Sequence, residues 1–163
     1  MQITHYLDFI KEKFGGGFMF KKILVPIDGS ETSWRALEEA IVLAEKFNGE
    51  LNIVNVIQPY NNAALLAVPL DQATITQGNT ELEKIGDKVL SMAKEKTAGF
   101  KGKLDFVLEV GHPSERIIAL AKKNGSDSIV IGSRGLSGIA EFFLGSVSSK
   151  VSQYATIPVL IVK

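Results

Sequence analysis

A chain of 163 residues, 45% hydrophobic and 22% charged, holds enough apolar material for one globular domain and is too short for two full ones. Eighteen basic residues balance eighteen acidic ones, so no global field draws the protein onto nucleic acid or an anionic membrane, and any partner must be recognised locally. With no cysteine, disulfides, thiolate zinc sites, iron–sulfur clusters and cysteine nucleophiles are excluded, which fits a reducing cytoplasm.

Residues 1–18 form an N-terminal extension to a domain expected over 19–163. Ile3, Tyr6, Leu7, Ile10 and Phe14 recur at helical spacing before the break at Gly15, Gly16 and Gly17. The pattern fits a short amphipathic helix on a hinge, either an extension from an upstream start, since Met19 can itself begin a complete domain, or a docking helix. It lacks a basic-then-apolar signal with a cleavage site, and no apolar run in the chain approaches the roughly 18 residues of a membrane span.

From Lys22 the pattern becomes regular. Ile23 to Ile27 is a continuous β-prone run, Asp28-Gly29-Ser30 punctuates it, and Glu31 to Phe47 reads as a helix with Trp34, Leu37, Ile41 and Ala44 on one face. Asn48-Gly49 ends that helix, with Gly49 available for a left-handed cap. Leu51 to Ile57 is the second strand. The connection from Gln58 to Thr80 is longer than ordinary loops yet apolar at Leu65, Leu66, Val68 and Leu70, which suits a lid, a dimer contact or a short helix. A helix follows over 81–98, with Leu82, Ile85, Val89, Met92 and Ala93 as its apolar stripe, then a strand from Leu104 to Val110. Pro113 suits a helix first turn, and Ile117, Ile118, Leu120 and Ala121 carry the buried side. Ser128 to Ile131 and Ile157 to Val162 are the last strands, with a helix from about Ser146 to Tyr154 between them.

Five strands apolar on both faces, alternating with four helices, predict an α/β fold: a doubly wound parallel sheet covered by helices on each side. Right-handed crossovers then require the strand order to reverse, and an order of 3-2-1-4-5 puts the reversal between the first and fourth strands. Ligands occupy such a crevice, beyond the carboxyl ends of the strands. The crevice rule selects Asp28-Gly29-Ser30 and the loop that opens at Gly132.

That loop begins Gly132-Ser133-Arg134-Gly135 and closes at Gly145-Ser146-Val147-Ser148. Glycine permits close backbone approach, and free amides at a helix N-terminus attract anions. The amides of 146–148, with the Ser146 and Ser148 hydroxyls, suit a phosphate, and Arg134 suits a terminal phosphate unless it is a solvated surface charge. Ile139, Phe142 and Phe143 are expected to anchor the loop to the core. The spacing Gly132-x2-Gly135-x9-Gly145-Ser146 resembles the nucleotide signature of the universal stress protein family. Lys21 to Ser30, Gly111-His112-Pro113 and Pro158 to Val162 are similar to that family's opening strand and turn, third-strand exit and last strand.

The resemblance implies an adenine nucleotide alpha hydrolase-like fold and ATP as ligand, with AMP or another adenine nucleotide as competitor. It implies nucleotide contacts from Pro26, Ile27, Asp28, Val56, Ile131, Gly132, Arg134, Gly135, Gly145, Ser146, Val147 and Ser148. Asp28 would lie on the ribose or metal-phosphate side, with Mg2+ or Mn2+ bound mainly through phosphate oxygens. Without the resemblance, Asp28 reads as a turn residue or N-cap and Val56 as core. No P-loop lysine and no nucleophile elbow is present, the serines of 146–149 have no histidine partner in sequence, and His112 reads as a helix-start or surface residue. The expectation is a stress-response sensor with at most slow hydrolysis. A partner-dependent ATPase or phosphotransferase and a ligand-free interaction scaffold are the alternatives. Family members commonly dimerise through the last strand, which implies a homodimer through residues 157–162.

Overall fold

A computed structural model describes residues 19–59, 71–136 and 144–163. Five strands, β1 (Lys22–Pro26), β2 (Glu50–Ile57), β3 (Leu104–Val110), β4 (Ser128–Gly132) and β5 (Val159–Val162), form one parallel sheet in the order β3-β2-β1-β4-β5. The helices are α1 (Glu31–Phe47), α2 (Gln72–Lys96), α3 (Pro113–Asn124) and α4 (Ser146–Tyr154). The doubly wound fold read from the sequence is the observed one. No helix among the described residues is long and apolar enough to cross a membrane.

The alternation of side chains along each strand divides the core in two. Ile23, Val25, Ile53 and Val130 face one side, where Ala36, Leu37 and Ala40 of α1 and Val89, Leu90 and Ala93 of α2 cover them. Leu24, Val54, Ile129 and Ile131 face the other, under Ile117, Leu120 and Ala121 of α3 and Val151 of α4. Because β1 and β4 are covered on both faces, their sequences are continuously apolar, which is why they were legible as strands.

Three expectations change. Helix α2 begins at Gln72, nine residues before the predicted start, because Asp71 caps it by accepting from the Thr74 amide at 2.9 Å. Its buried side is Ile75, Gly86, Val89, Leu90 and Ala93, while Ile85 and Met92 are 57% and 40% exposed. The left-handed cap of α1 falls on Asn48 (φ 50°), not Gly49, which is needed instead because a Cβ there would lie 2.1 Å from the Phe20 carbonyl oxygen. The expectations for residues 1–18, for the 60–70 part of the long connection and for Ile139, Phe142 and Phe143 fall outside the described residues.

The entry to β1 is fixed by one carboxylate. Phe20 adopts φ 64°, and the amides of Phe20, Lys21 and Lys22 all donate to Asp127, at 2.9, 2.8 and 2.9 Å. This joins the start of β1 to the start of β4, where the two strands are also paired at Ile23–Ser128 and Leu24–Ile129. Replacing Asp127 with Ala removes the shared acceptor of three amides, one exposed and two part-buried, and the expected loss is about 1 to 3 kcal/mol of unfolding free energy. Urea unfolding measures it, and a change below about 0.5 kcal/mol contradicts the role, being the size expected of an ordinary surface substitution.

At the same pole Glu50 pairs with Lys22 (3.1 Å) and Lys103 (3.4 Å). Burial alone would raise its carboxyl, but the hydrogen bonds and charges of the two lysines outweigh it and hold the group below its ordinary value of 4.5. A depressed carboxylate stabilises the fold above that ordinary value, and the contribution disappears as pH falls through the folded value. Glu50→Gln is therefore expected to flatten the acid side of a stability–pH profile; an unchanged slope below pH 4.5 would contradict this pairing.

Candidate functional site

The sheet opens where its order reverses. Strand β1 pairs with β2 up to Pro26–Val54, and the Ile27 amide extends that contact to the Val54 carbonyl at 2.8 Å, after which the chain turns into α1. Alternate peptide groups of a strand point to opposite sides. The Val54 carbonyl faces β1, whereas the Ile57 carbonyl accepts from Gly111 just beyond β3 at 2.9 Å. The amide and carbonyl of Val56 therefore face the side that β1 has left, and no strand among the described residues pairs with them there.

A cavity of about 310 Å³ occupies this place, on the α3 and α4 side of the sheet. Its walls are apolar: Val54 and Val56 of β2, Ile131 of β4, and Pro113 and Ile117 from the first turns of α3. Its mouth is polar and glycine-rich, with Asp28 and Ser33 on one lip, Gly132, Arg134, Gly135 and Leu136 on the second, and Gly145 to Ser148 on the third. The structure brings together all twelve residues expected from the sequence, Pro26 and Ile27 included.

Asp28 ties two lips together. One carboxylate oxygen accepts from the Ser30 amide and hydroxyl (2.9 and 2.6 Å), the other from the Leu136 amide at 3.2 Å. Ser30, not Asp28, caps α1. The Arg134 carbonyl accepts from the Thr32 hydroxyl at 2.5 Å, so the loop after β4 is held by the first turn of α1 on its backbone and the guanidinium is left free of that task. No carboxylate among the described residues pairs with Arg134.

The three motif glycines have different reasons. A Cβ at Gly132 would lie 2.7 Å from the Thr32 backbone, and one at Gly135 would lie 2.5 Å from the Asp28 carboxylate. Gly145 has φ −63°, and a Cβ there would meet nothing among the described residues closer than 3.4 Å. Backbone leaves no room for a side chain at Gly132, the Asp28 carboxylate would have to move aside at Gly135, and Gly145 is under neither demand. Gly145 is the N-cap of α4 and supplies no side-chain acceptor, whereas Ser30 and Asp71 cap α1 and α2 through theirs. The first intrahelical bond of α4 is from the Ser149 amide to the Gly145 carbonyl at 2.9 Å, so the amides of Ser146, Val147 and Ser148 have no carbonyl partner within the helix.

One expected contributor acts differently. The Ser148 hydroxyl is buried and donates inward to the carbonyls of Ser133 (2.8 Å) and Gly145 (3.0 Å), which leaves its amide, and the exposed Ser146 hydroxyl, to face the mouth. The sequence reading missed Ser33, Val54, Pro113, Ile117 and Leu136. Val54 was findable, since it lies two residues before Val56 on the same face; Pro113 and Ile117 follow from the crossover that starts α3 at the same end of the sheet. His112 precedes α3, is exposed and makes no side-chain cap. The described residues contain no cluster of three or more His, Asp or Glu able to hold a metal ion.

The pattern of the universal stress protein family matches residues 19–163, nearly nine-tenths of the sequence. The chain belongs to the universal stress protein family. Universal stress protein YxiE of Bacillus subtilis is 41% identical over 150 residues, spanning 89% of this chain and 100% of that one. Universal stress protein MJ0577 of Methanocaldococcus jannaschii is 32% identical over 155 residues, and its solved structure superposes with a TM-score of 0.77, at 28% identity, over 89% of this chain and 96% of that chain. A universal stress protein solved in complex with cAMP superposes with a TM-score of 0.65 at 26% identity, covering 88% and 97% of the two chains.

In this universal stress protein the steric demand at Gly132 is testable apart from any ligand. Gly132→Ala drives a methyl group into the Thr32 backbone and is expected to lower stability by about 1 to 3 kcal/mol. Gly145→Ala is expected to stay within about 1 kcal/mol, as its Cβ would make only ordinary van der Waals contacts. Equal thermal shifts for the two variants would contradict this division.

Proposed function

We propose that this universal stress protein binds an adenine nucleotide in the β1–β4 crevice, ATP by preference with AMP the nearest competitor, and that occupancy is its output as a stress-response sensor in the cytoplasm. The observation that carries this reading is the uncapped start of α4 at the end of an apolar notch. Three open amides and the positive end of a helix dipole suit a phosphate, while Val54, Val56, Ile117 and Ile131 suit a flat base. The relative solved with cAMP supports an adenine base.

All twelve nucleotide contacts named from the sequence belong to this proposal. Arg134 meets the outer phosphates, Ser146 to Ser148 the inner ones, and Asp28 the ribose or a Mg2+ or Mn2+ ion held mainly by phosphate oxygens. The residues fit such an ion only as a shared ligand, since Asp28 is the one carboxylate lining the described mouth. Phosphoryl transfer needs a positioned base and several charges on the transferring group, and the described mouth brings one cation and one carboxylate. Holding is the activity this chemistry favours, with at most slow hydrolysis. The unit that does this is residues 19–163, with residues 1–18 as an extension, and two copies pair through residues 157–162, where β5 is an edge of the described sheet.

Isothermal titration with ATP, AMP and cAMP tests the binding. Saturable one-site binding is expected, and Arg134→Ala is expected to weaken ATP about tenfold while changing AMP less than threefold, a difference of charge-assisted bonds to the outer phosphates. No association with any of the three at millimolar concentration would overturn the proposal. Sedimentation is expected to give a dimer at micromolar concentration, and a monomer would overturn the pairing.

A further inference from the structure

Asn55 lies on the α2 side of β2, opposite the cavity, and is 5% exposed. Burying a primary amide without partners is costly, so its contacts need a reason. Its Nδ2 donates to the Ile27 carbonyl at 2.8 Å. Among the described residues its Oδ1 has no hydrogen-bond partner, and it faces α2 at Gly86, where an added Cβ would lie 2.8 Å from that oxygen and 2.5 Å from Leu108. A glycine in the middle of a helix lowers its stability relative to alanine, and here it admits the amide between helix and sheet.

The backbone ladder of β1 and β2 ends at Pro26–Val54 and the Ile27 amide. The carbonyl of Ile27, just beyond β1, has no strand partner among the described residues and is held instead by a side chain from the far face of the sheet. Asn55 thus adds one rung to the pairing without adding a strand residue. Ile27 is one wall of the notch and Val56, adjacent to Asn55, is the other. The same side chain therefore fixes the separation between the Ile27 peptide and the unpaired amide and carbonyl of Val56.

We propose that Asn55 is a positioning residue for the base: it sets the width of the Ile27–Val56 notch from behind the sheet, without touching the ligand. The inference rests on the adenine-nucleotide reading of the cavity. It separates the base from the phosphates, because the phosphate end is held by α4 and the β4 loop, which Asn55 does not touch. Losing the rung loosens base recognition and leaves phosphate capture intact.

The test compares AMP with ribose 5-phosphate, which keeps the sugar and phosphate and lacks the base, in the full-length protein and in Asn55→Asp and Asn55→Leu. Aspartate keeps the shape and, when ionised, loses the donor; leucine keeps the approximate volume. Both variants are expected to bind AMP at least tenfold more weakly and ribose 5-phosphate within twofold of the parent. Acidification, by protonating the introduced carboxyl, is expected to restore AMP binding to Asn55→Asp and not to Asn55→Leu. Equal losses for both ligands, or no loss for AMP, would overturn the proposal. Failure of the unsubstituted protein to bind AMP would overturn the underlying reading instead. Should the variants not fold, the side-chain amide resonances of Asn55 in the unsubstituted protein decide: they are expected to shift with AMP and not with ribose 5-phosphate, and the reverse contradicts the role.

Discussion

The parting of β1 from β4 is the constraint on which the site depends. Asp127 pins the starts of the two strands together, they pair at only two positions, and beyond these α1 leaves over one face while α3 and α4 cover the other. A sheet whose order reverses cannot close that gap with backbone hydrogen bonds, since the connections on either side run in opposite senses. The peptide groups of Val56 are exposed by this geometry, and the apolar walls of the cavity are the ordinary core-facing residues of strands and helices that end there.

Around this gap the mouth is held by bonds from the protein itself. Asp28 spans from the Ser30 turn to Leu136, and Thr32 holds the Arg134 carbonyl. At Gly132 the two segments come too close for a Cβ, and at Gly135 the loop lies against the Asp28 carboxylate. Such ties place the loop in advance of a ligand, so less ordering cost falls on binding. The amides at the start of α4 are the exception, since their N-cap carries no side chain. Ser30 and Asp71 cap α1 and α2 while α3 and α4 start without a side-chain cap, and at α4, beside the cavity, this leaves room for an external acceptor.

Much of this was legible in the sequence, for identifiable reasons. The central strands are apolar on both faces, so Ile23 to Ile27 and Ser128 to Ile131 could be read directly, and the crossover rule gave their order. The glycine spacing located the mouth because two of its three glycines answer to steric contacts. What was hidden involves partners distant in sequence. The first turns of α2 are rich in Thr, Gln and Asn, carry a single buried apolar residue, Ile75, and so show no stripe; Ile85 and Met92 complete a helical period in sequence but point outward. Asn55 sits in an apolar strand as an apparent interruption, and only the end of the β1 ladder gives it a purpose. The inward turn of the Ser148 hydroxyl depends on Ser133, fifteen residues away.

The account stands on phosphate and base occupying opposite ends of one crevice, and mapping of backbone amide shifts on addition of ATP addresses both ends at once. Large shifts are expected at Ser146, Val147 and Ser148 and at Val56, with Leu136 following through its bond to Asp28. Saturating shifts confined to the opposite pole, around Lys21, Lys101 and Lys103, with none at α4 or Val56, would contradict it.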